Sequence, residues 1–277
     1  MRRSLVDPDA CMRENRRQWE IWTPLKAASS SYALDDFRAG GLRLRAQERA
    51  EVGEVAGRTL LHLQCNIGLP TLSWARLGAQ VTGVDFAAEA VAISRDLAAD
   101  VAPSARFVEA NVYDLPDVLD GTFDIVHTAH GVLGWLPDLR RWAEVVAHFV
   151  TPGGFFHLWE AHPAAWTFDN TTTEPRLRPH HPYFGQNEPL WFEYRSRHAV
   201  PDADVESVEC SWGHTLADIV CALTGVGLRI DYLHEWPFAD WRMLPFLHEG
   251  EDGWWHLPPE LPSFPLSFSL RASKPAG

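Results

Sequence analysis

From Thr59 onward the chain repeats one pattern: a short apolar run, a turn, then a segment with helical spacing. "TLLHLQ" reads as a strand between Gly57 and Gly68, and "TLSWARLG" as a short helix stopped by Gly78. "AQVTGVDF" is a second strand, "AAEAVAISRDLAAD" a second helix, and "ARFVEANV" a third strand. "TFDIVHTAH" follows the turn at Asp120-Gly121 as a fourth. In "LRRWAEVVAHFV", Leu139, Trp142, Val145, Val146 and Phe149 fall on one helical face. Thr151-Pro152-Gly153-Gly154 is expected to end that helix, and "FFHLWEA" to form a fifth strand. Strands that alternate with helices in this way build a parallel sheet covered on both faces, an α/β fold.

The alternation breaks at residue 163. Residues 163–212 are rich in Pro, His, Thr and aromatics. "PLWFEYRSRHAV" and "DVESVECSWGH" are expected to be antiparallel strands joined near Pro201-Asp202. A helix, "TLADIVCALTGVG", returns at 215, then a sixth strand, "LRIDYLHEW", a long Trp- and Pro-rich connection, and a last strand, "PLSFSLRAS". The chain divides into an N-terminal cap (1–52), a core (53–162), a substrate-side insertion (163–212) and the end of the core sheet (213–277).

Ligands of such sheets sit beyond the carboxyl ends of the strands. Gln64 to Gly68, Asp85, Asn111 to Tyr113, His130, and Glu160 to His162 collect there. The first turn, "HLQCNIG", has a single glycine, where a pyrophosphate-binding turn needs G-x-G-x-x-G. Asp85 closes the second strand 17 residues past Gly68, where a carboxylate accepts hydrogen bonds from ribose hydroxyls.

The order of turn, acidic residue, "EANVYDLP", "FDIVHTAHGVLGWLPD" and "VTPGGFFHLWE" resembles class I S-adenosylmethionine (SAM) dependent methyltransferases. "PLSFSLRAS" looks like their antiparallel last strand, and "NRRQWEIWTPLKAASSSYALDDFRAG" is similar to the cap of a bacterial small-molecule branch. The resemblance covers residues 59–160 and 215–272. It implies a Rossmann-like, seven-stranded, mostly parallel sheet with an antiparallel last strand. It also implies SAM as cofactor and S-adenosylhomocysteine as product. Gln64, Cys65 and Gly68 would line the methionine part, Asp85 the ribose and Phe86 the adenine. Asn111 stands where relatives carry an Asp, with Val112 and Tyr113 flanking the ring. His130 would sit beside the methionine, near the backbone of Gly131 and Leu133. Trp22 and Tyr32 would reach the cofactor from the cap. "Q-C-N-I-G" departs from the family's "D-x-G-x-G", so the turn lacks an acidic group.

Displacement at a sulfonium needs an in-line nucleophile at about 3–3.5 Å, and a base where the nucleophile is weak. Glu160 and His162 are base candidates because residues two apart on an extended segment share a side. His214 is a third. Trp19, Trp135, Trp166, Trp212 and Glu235 are candidates for holding the acceptor, with Trp191, Trp236 and His234 on the same rim. Aromatic faces stack flat substrates and attract a sulfonium.

A net charge of −13 with only short basic pairs argues against nucleic acid. The 13 His suggest a metal only at His180-His181 and His127-x-x-His130, and the latter two are expected on opposite sides of a strand; no metal is expected. The 4 Cys form no C-x-x-C pair, and no signal peptide or membrane-length apolar run is visible, so a reduced, cytoplasmic monomer or homodimer is expected. The reading is a methyltransferase for a small, largely apolar aromatic acceptor, with an indole or tryptophan-derived diketopiperazine, C- or N-methylated in natural-product biosynthesis, as the sharper form. The alternatives are a non-catalytic SAM-fold partner protein and a nicotinamide-dependent oxidoreductase.

Overall fold

The computed structural model describes residues 7–30, 32–184, 189–194 and 207–277. Its centre is a seven-stranded sheet. The strands are β1 (Thr59–Leu63), β2 (Gln80–Asp85), β3 (Arg106–Glu109), β4 (Phe123–Ala129), β5 (Val150–Ala161), β8 (Arg229–Trp236) and β12 (Ser267–Ser273). They lie in the order β3-β2-β1-β4-β5-β12-β8. β12 runs antiparallel to both of its neighbours, β5 and β8, while β1 to β5 pair in parallel. The α/β sheet with a reversed last strand expected from the sequence is the one observed.

Burial explains the strand composition. β1 and β2 keep all but their first residue buried, as parallel strands covered on both faces must. α6 (Leu139–Phe149) buries Leu139, Trp142, Val145, Val146 and Phe149. The Asp138 carboxylate accepts from Arg141 N–H and caps its first turn. α7 (Leu216–Gly225) opens on a Thr215/Asp218 capping box and packs beside α6. The opposite face carries α4 (Leu69–Arg76) and α5 (Ala88–Val101).

Thr151-Pro152-Gly153-Gly154 does not separate α6 from its strand. β5 starts at Val150, five residues before "FFHLWEA". Gly153 N–H donates to Lys274 O and Lys274 N–H to Gly154 O, so the end of β12 holds this stretch in the sheet.

Three helices precede the sheet among the described residues: a long α1 (Pro8–Ala27) and the short α2 (Leu34–Arg38) and α3 (Ala46–Val52). α1 is pinned to the substrate side by Asn15, whose amide donates to Cys210 O and accepts from Cys210 N–H, both at 2.9 Å. Cys210 lies on β7 (Ser207–Ser211), which pairs antiparallel with β6 (Leu190–Tyr194). The two inserted strands are therefore present; their connection at Pro201-Asp202 lies outside the described residues. The Trp- and Pro-rich connection before β12 is not plain loop. It forms a small antiparallel sheet of β9 (Phe238–Ala239), β10 (His248–Glu249) and β11 (Trp255–His256).

Candidate active site

A cavity of about 1020 Å³ opens over the carboxyl ends of β1, β2 and β4. Gln64, Cys65, Asn66, Asp85, Phe86, Asn111, Val112 and His130 to Trp135 line one half. Trp166, Tyr183, Phe192, Trp212, His214, Trp241 and Arg242 line the other. Trp19 and Tyr32 reach the wall from the cap, and the Trp19 ring meets Trp135 edge-on at 5.4 Å.

The first half is built on strained backbone. Gln64, Asn66 and His130 have φ of 56°, 51° and 68°, left-handed values costly for residues with a Cβ. Gly68 (φ 73°) starts α4, and a Cβ there would stand 2.6 Å from the Phe107 ring. Gly68 thus shapes the turn without lining the cavity. Asp85 Oδ2 accepts from Asn66 N–H at 2.8 Å and Oδ1 from Ala87 N–H at 3.0 Å. Burial pushes its pKa up to about 6 against these bonds.

Four residues that line the cavity carry a buried polar atom without a hydrogen-bond partner among the described residues: Arg43 Nε, Gln64 Oε1 and Asn66 Oδ1 on the cofactor-sized half, and Asp240 Oδ1, which faces His130. Buried polar atoms are rarely left so. One donor on a cation and two neutral acceptors suit the carboxylate and ammonium of an amino-acid tail. The residues present therefore fit SAM. Tyr32 OH accepts from Asn66 Nδ2 at 2.9 Å and holds that side chain in place.

Several expected site residues stand elsewhere. Tyr113 is turned away from the cavity, its hydroxyl donating to Asp138 O and accepting from Asp138 N–H. Trp22 is buried within the cap rather than facing the cofactor. Glu160 lines the cavity but His162 does not, so the two do not face one substrate. His162 lies past the end of β5, where Ala164 N–H donates to its Nδ1 and Glu235 accepts from its Nε2 at 2.8 Å. Both are occupied with each other and outside the cavity lining. Trp191 points outward because Leu190 and Phe192, its neighbours on β6, take the cavity side. Trp236 stacks on Trp159 in the core instead of the rim.

Glu160 accepts from Val132 N–H (2.8 Å), Leu133 N–H (3.1 Å) and Ala161 N–H (2.7 Å). It fixes the loop after β4, and burial raises its pKa despite these donors. His214 lines the cavity with its Nε2 donating to Leu136 O at 2.7 Å; burial lowers its pKa.

His130 is the titratable group with the sharpest setting. Its Nδ1 faces Asp240 Oδ1 at 3.4 Å and its Nε2 faces Glu48 Oε2 at 3.7 Å. Burial alone would lower its pKa, but the two carboxylates outweigh that and push it up to about 9. His127 also turns to Glu48, at 2.9 Å. The expectation that His127 and His130 point apart fails because the left-handed backbone at His130 takes it off the strand's alternation. Among the described residues no group of three or more His, Cys, Asp or Glu is arranged to hold a metal.

Arg43, Glu48, Asp240 and Trp241 escaped the sequence reading. Arg43 and Glu48 sit in a cap without periodic signal. Asp240 and Trp241 sit in the segment read as connection.

Residues 61–158 match the family model described as a methyltransferase domain. Over this segment the chain is similar to methyltransferase domains. A ubiquinone biosynthesis O-methyltransferase of Cronobacter sakazakii is 33% identical over 149 residues, 53% of this chain and 58% of that one. One from Albidiferax ferrireducens is 36% identical over 102 residues, 36% and 40% of the two chains. The chain spans about half the length of the curated relatives it matches. Among solved structures, the glycopeptide N-methyltransferase MtfA complexed with SAM superposes with TM-score 0.54 at 18% identity, covering 82% of this chain and 85% of that one. A SAM-dependent methyltransferase from Mesorhizobium loti gives 0.53 at 19%, covering 81% and 94%. At such identities these structures speak for the methyltransferase fold alone. No helix among the described residues is long and apolar enough to cross a membrane.

Proposed function

We propose that the protein transfers the methyl group of SAM to a small, flat aromatic acceptor. The observation that carries this is one continuous cavity with two unlike halves. One half offers unmatched polar atoms suited to an amino-acid tail, and the other is walled by Trp166, Trp212, Trp241 and Tyr183. About 1020 Å³ accommodates a cofactor and an acceptor side by side.

SAM supplies an activated methyl carbon on a sulfonium. The protein's part is positioning and proton handling. Arg43, Gln64 and Asn66 hold the amino-acid end, and Asp85 holds the ribose. Glu160 fixes the loop that forms the floor beneath the acceptor. Asp240, paired with His130, is the carboxylate placed to take a proton from an acceptor hydroxyl or ring N–H. The aromatic walls exclude water and orient a ring. The names of the curated relatives support an oxygen acceptor, and the tryptophan-rich wall supports a flat ring such as an indole.

The test is incorporation of label from methyl-labelled SAM into indole, phenol, carboxylate and amine acceptors. Labelled phenols or indoles are expected. Label confined to aliphatic amines or carboxylates would overturn the aromatic assignment. Binding of S-adenosylhomocysteine with no labelled product from any class would favour a non-catalytic role.

A further inference from the structure

Three buried imidazoles stand side by side across the sheet. His62 on β1, His127 on β4 and His157 on β5 occupy one register row. α3 lays Glu48 and Glu51 over this row. Glu48 Oε1 lies 2.9 Å from His127 Nε2, and Glu51 Oε2 lies 3.1 Å from His157 Nε2. The two Nδ1 atoms face each other at 3.3 Å. Glu51 Oε1 continues to His234 Nδ1 at 2.7 Å, and the His234 side chain is 48% exposed. At the other end Glu48 Oε2 faces cavity-lining His130, and His130 faces Asp240.

A proton count follows from the geometry. Carboxylates and bare imidazole nitrogens only accept, so each hydrogen bond along Glu48–His127–His157–Glu51 needs one proton between its partners. That makes three bonds and three protons. Two neutral imidazoles carry only two. Filling all three bonds at once therefore takes one extra proton, which would give the run a net charge of −1 with both carboxylates ionised; burial, which lowers the His127 pKa, favours that proton moving on. One proton per bond is the arrangement in which a proton entering one end releases another at the far end.

Stability alone does not call for this row. Burying ions costs several kcal/mol each, and packed apolar side chains serve a core as well or better. The adjacent register row has Leu61, Val126 and Phe156, all fully buried.

We propose that this ladder conducts protons between the cavity and solvent, with His130 at the inner end and His234 at the outer. The use assigned to it rests on the methyl-transfer reading. As the acceptor's X–C bond forms, the S–CH₃ bond breaks and its electron pair stays on sulfur. The proton lost from X–H passes to Asp240 and His130, and one proton leaves His234 to water. Other polar groups face the ladder. Thr71 Oγ1 is 2.8 Å from His62 Nδ1, and Arg45 N–H donates to Glu48. Ser269 Oγ donates to Glu51, Tyr232 stacks on His234 at 4.5 Å, and Arg271 is the register neighbour of His157.

The test reads the ligand-free protein. Solvent exchange of the ring N–H protons of His127 and His157 is followed by NMR on histidine-labelled protein. Conduction predicts exchange about tenfold or more faster than that of the surrounding β4 and β5 amides. His234→Ala alters an exposed residue and should slow it by about tenfold. Glu51→Gln should slow it as well. A purely structural ladder gives ring exchange that tracks the amides, is unchanged in His234→Ala and is faster in the destabilised Glu51→Gln; that pattern would overturn the proposal. Exchange needs no acceptor. A protein that labels no acceptor yet shows conduction loses the methyl-transfer reading and keeps the ladder.

Discussion

Asp85 is the residue whose removal should cost the cofactor most. Each of its oxygens accepts one backbone N–H and retains lone pairs for a ribose hydroxyl. A hydrogen bond to a charged group contributes about 1.5–3 kcal/mol. Losing two such bonds in Asp85→Ala should weaken S-adenosylhomocysteine by about 3–6 kcal/mol, roughly 10²–10⁴-fold in Kd. Gln64 offers only neutral bonds, so Gln64→Ala should cost about 1 kcal/mol, roughly fivefold. Asp85→Ala also strands two buried N–H groups, so Asp85→Asn serves as the better-folded companion and should still lose affinity. Titration calorimetry at pH 7.5 reads all three. The pH dependence adds a second check. The Asp85 pKa in the folded protein is raised to about 6, so its carboxylate is ionised above that pH and protonated below it. Wild-type affinity should therefore fall as pH drops through about 6, and Asp85→Asn should lack this step. If Gln64→Ala costs more than Asp85→Ala, or Asp85→Asn binds like wild type, the ribose is not at Asp85 and the cofactor half has been misplaced.

Glu160→Ala leaves three buried N–H groups unpaired and should lower unfolding free energy by about 2–4 kcal/mol in urea denaturation, with Glu160→Gln recovering part. A variant as stable as wild type would remove the loop-fixing role. Among the thiols, burial raises the pKa of Cys11, Cys65 and Cys210, while Cys221 is exposed. Ellman's reagent should titrate one fast thiol per native chain, and Cys221→Ser should abolish that phase.

The sheet was legible because its strands are apolar throughout and its helices carry a stripe, as β1 and α6 show. The strand-end rule then located Gln64, Asp85, Asn111 and His130 at one cavity. It failed for His162 and Tyr113, because side-chain direction past a strand's end depends on local backbone that periodicity does not encode. His130 illustrates the same point in the other direction: one left-handed residue brings it alongside His127 at Glu48. Asp240 and Arg43 were out of reach since each acts through contacts across nearly two hundred residues or through a cap with no repeating pattern. Arg45, for instance, donates to the carbonyls of Asp240 and Gly253.

The placement of α3 bears on how this chain can be recombined. By sequence, the cap ends at residue 52, an inviting point for joining it to another core. Yet Glu48 and Glu51 are the partners of imidazoles buried inside the sheet, and Arg43 lines the cavity. A chimera cut there would leave His127 and His157 facing a foreign surface. A seam at Gly40-Gly41 instead keeps Arg43, Glu48 and Glu51 with the sheet, and leaves Tyr32, which holds Asn66, as the contact a new cap must supply.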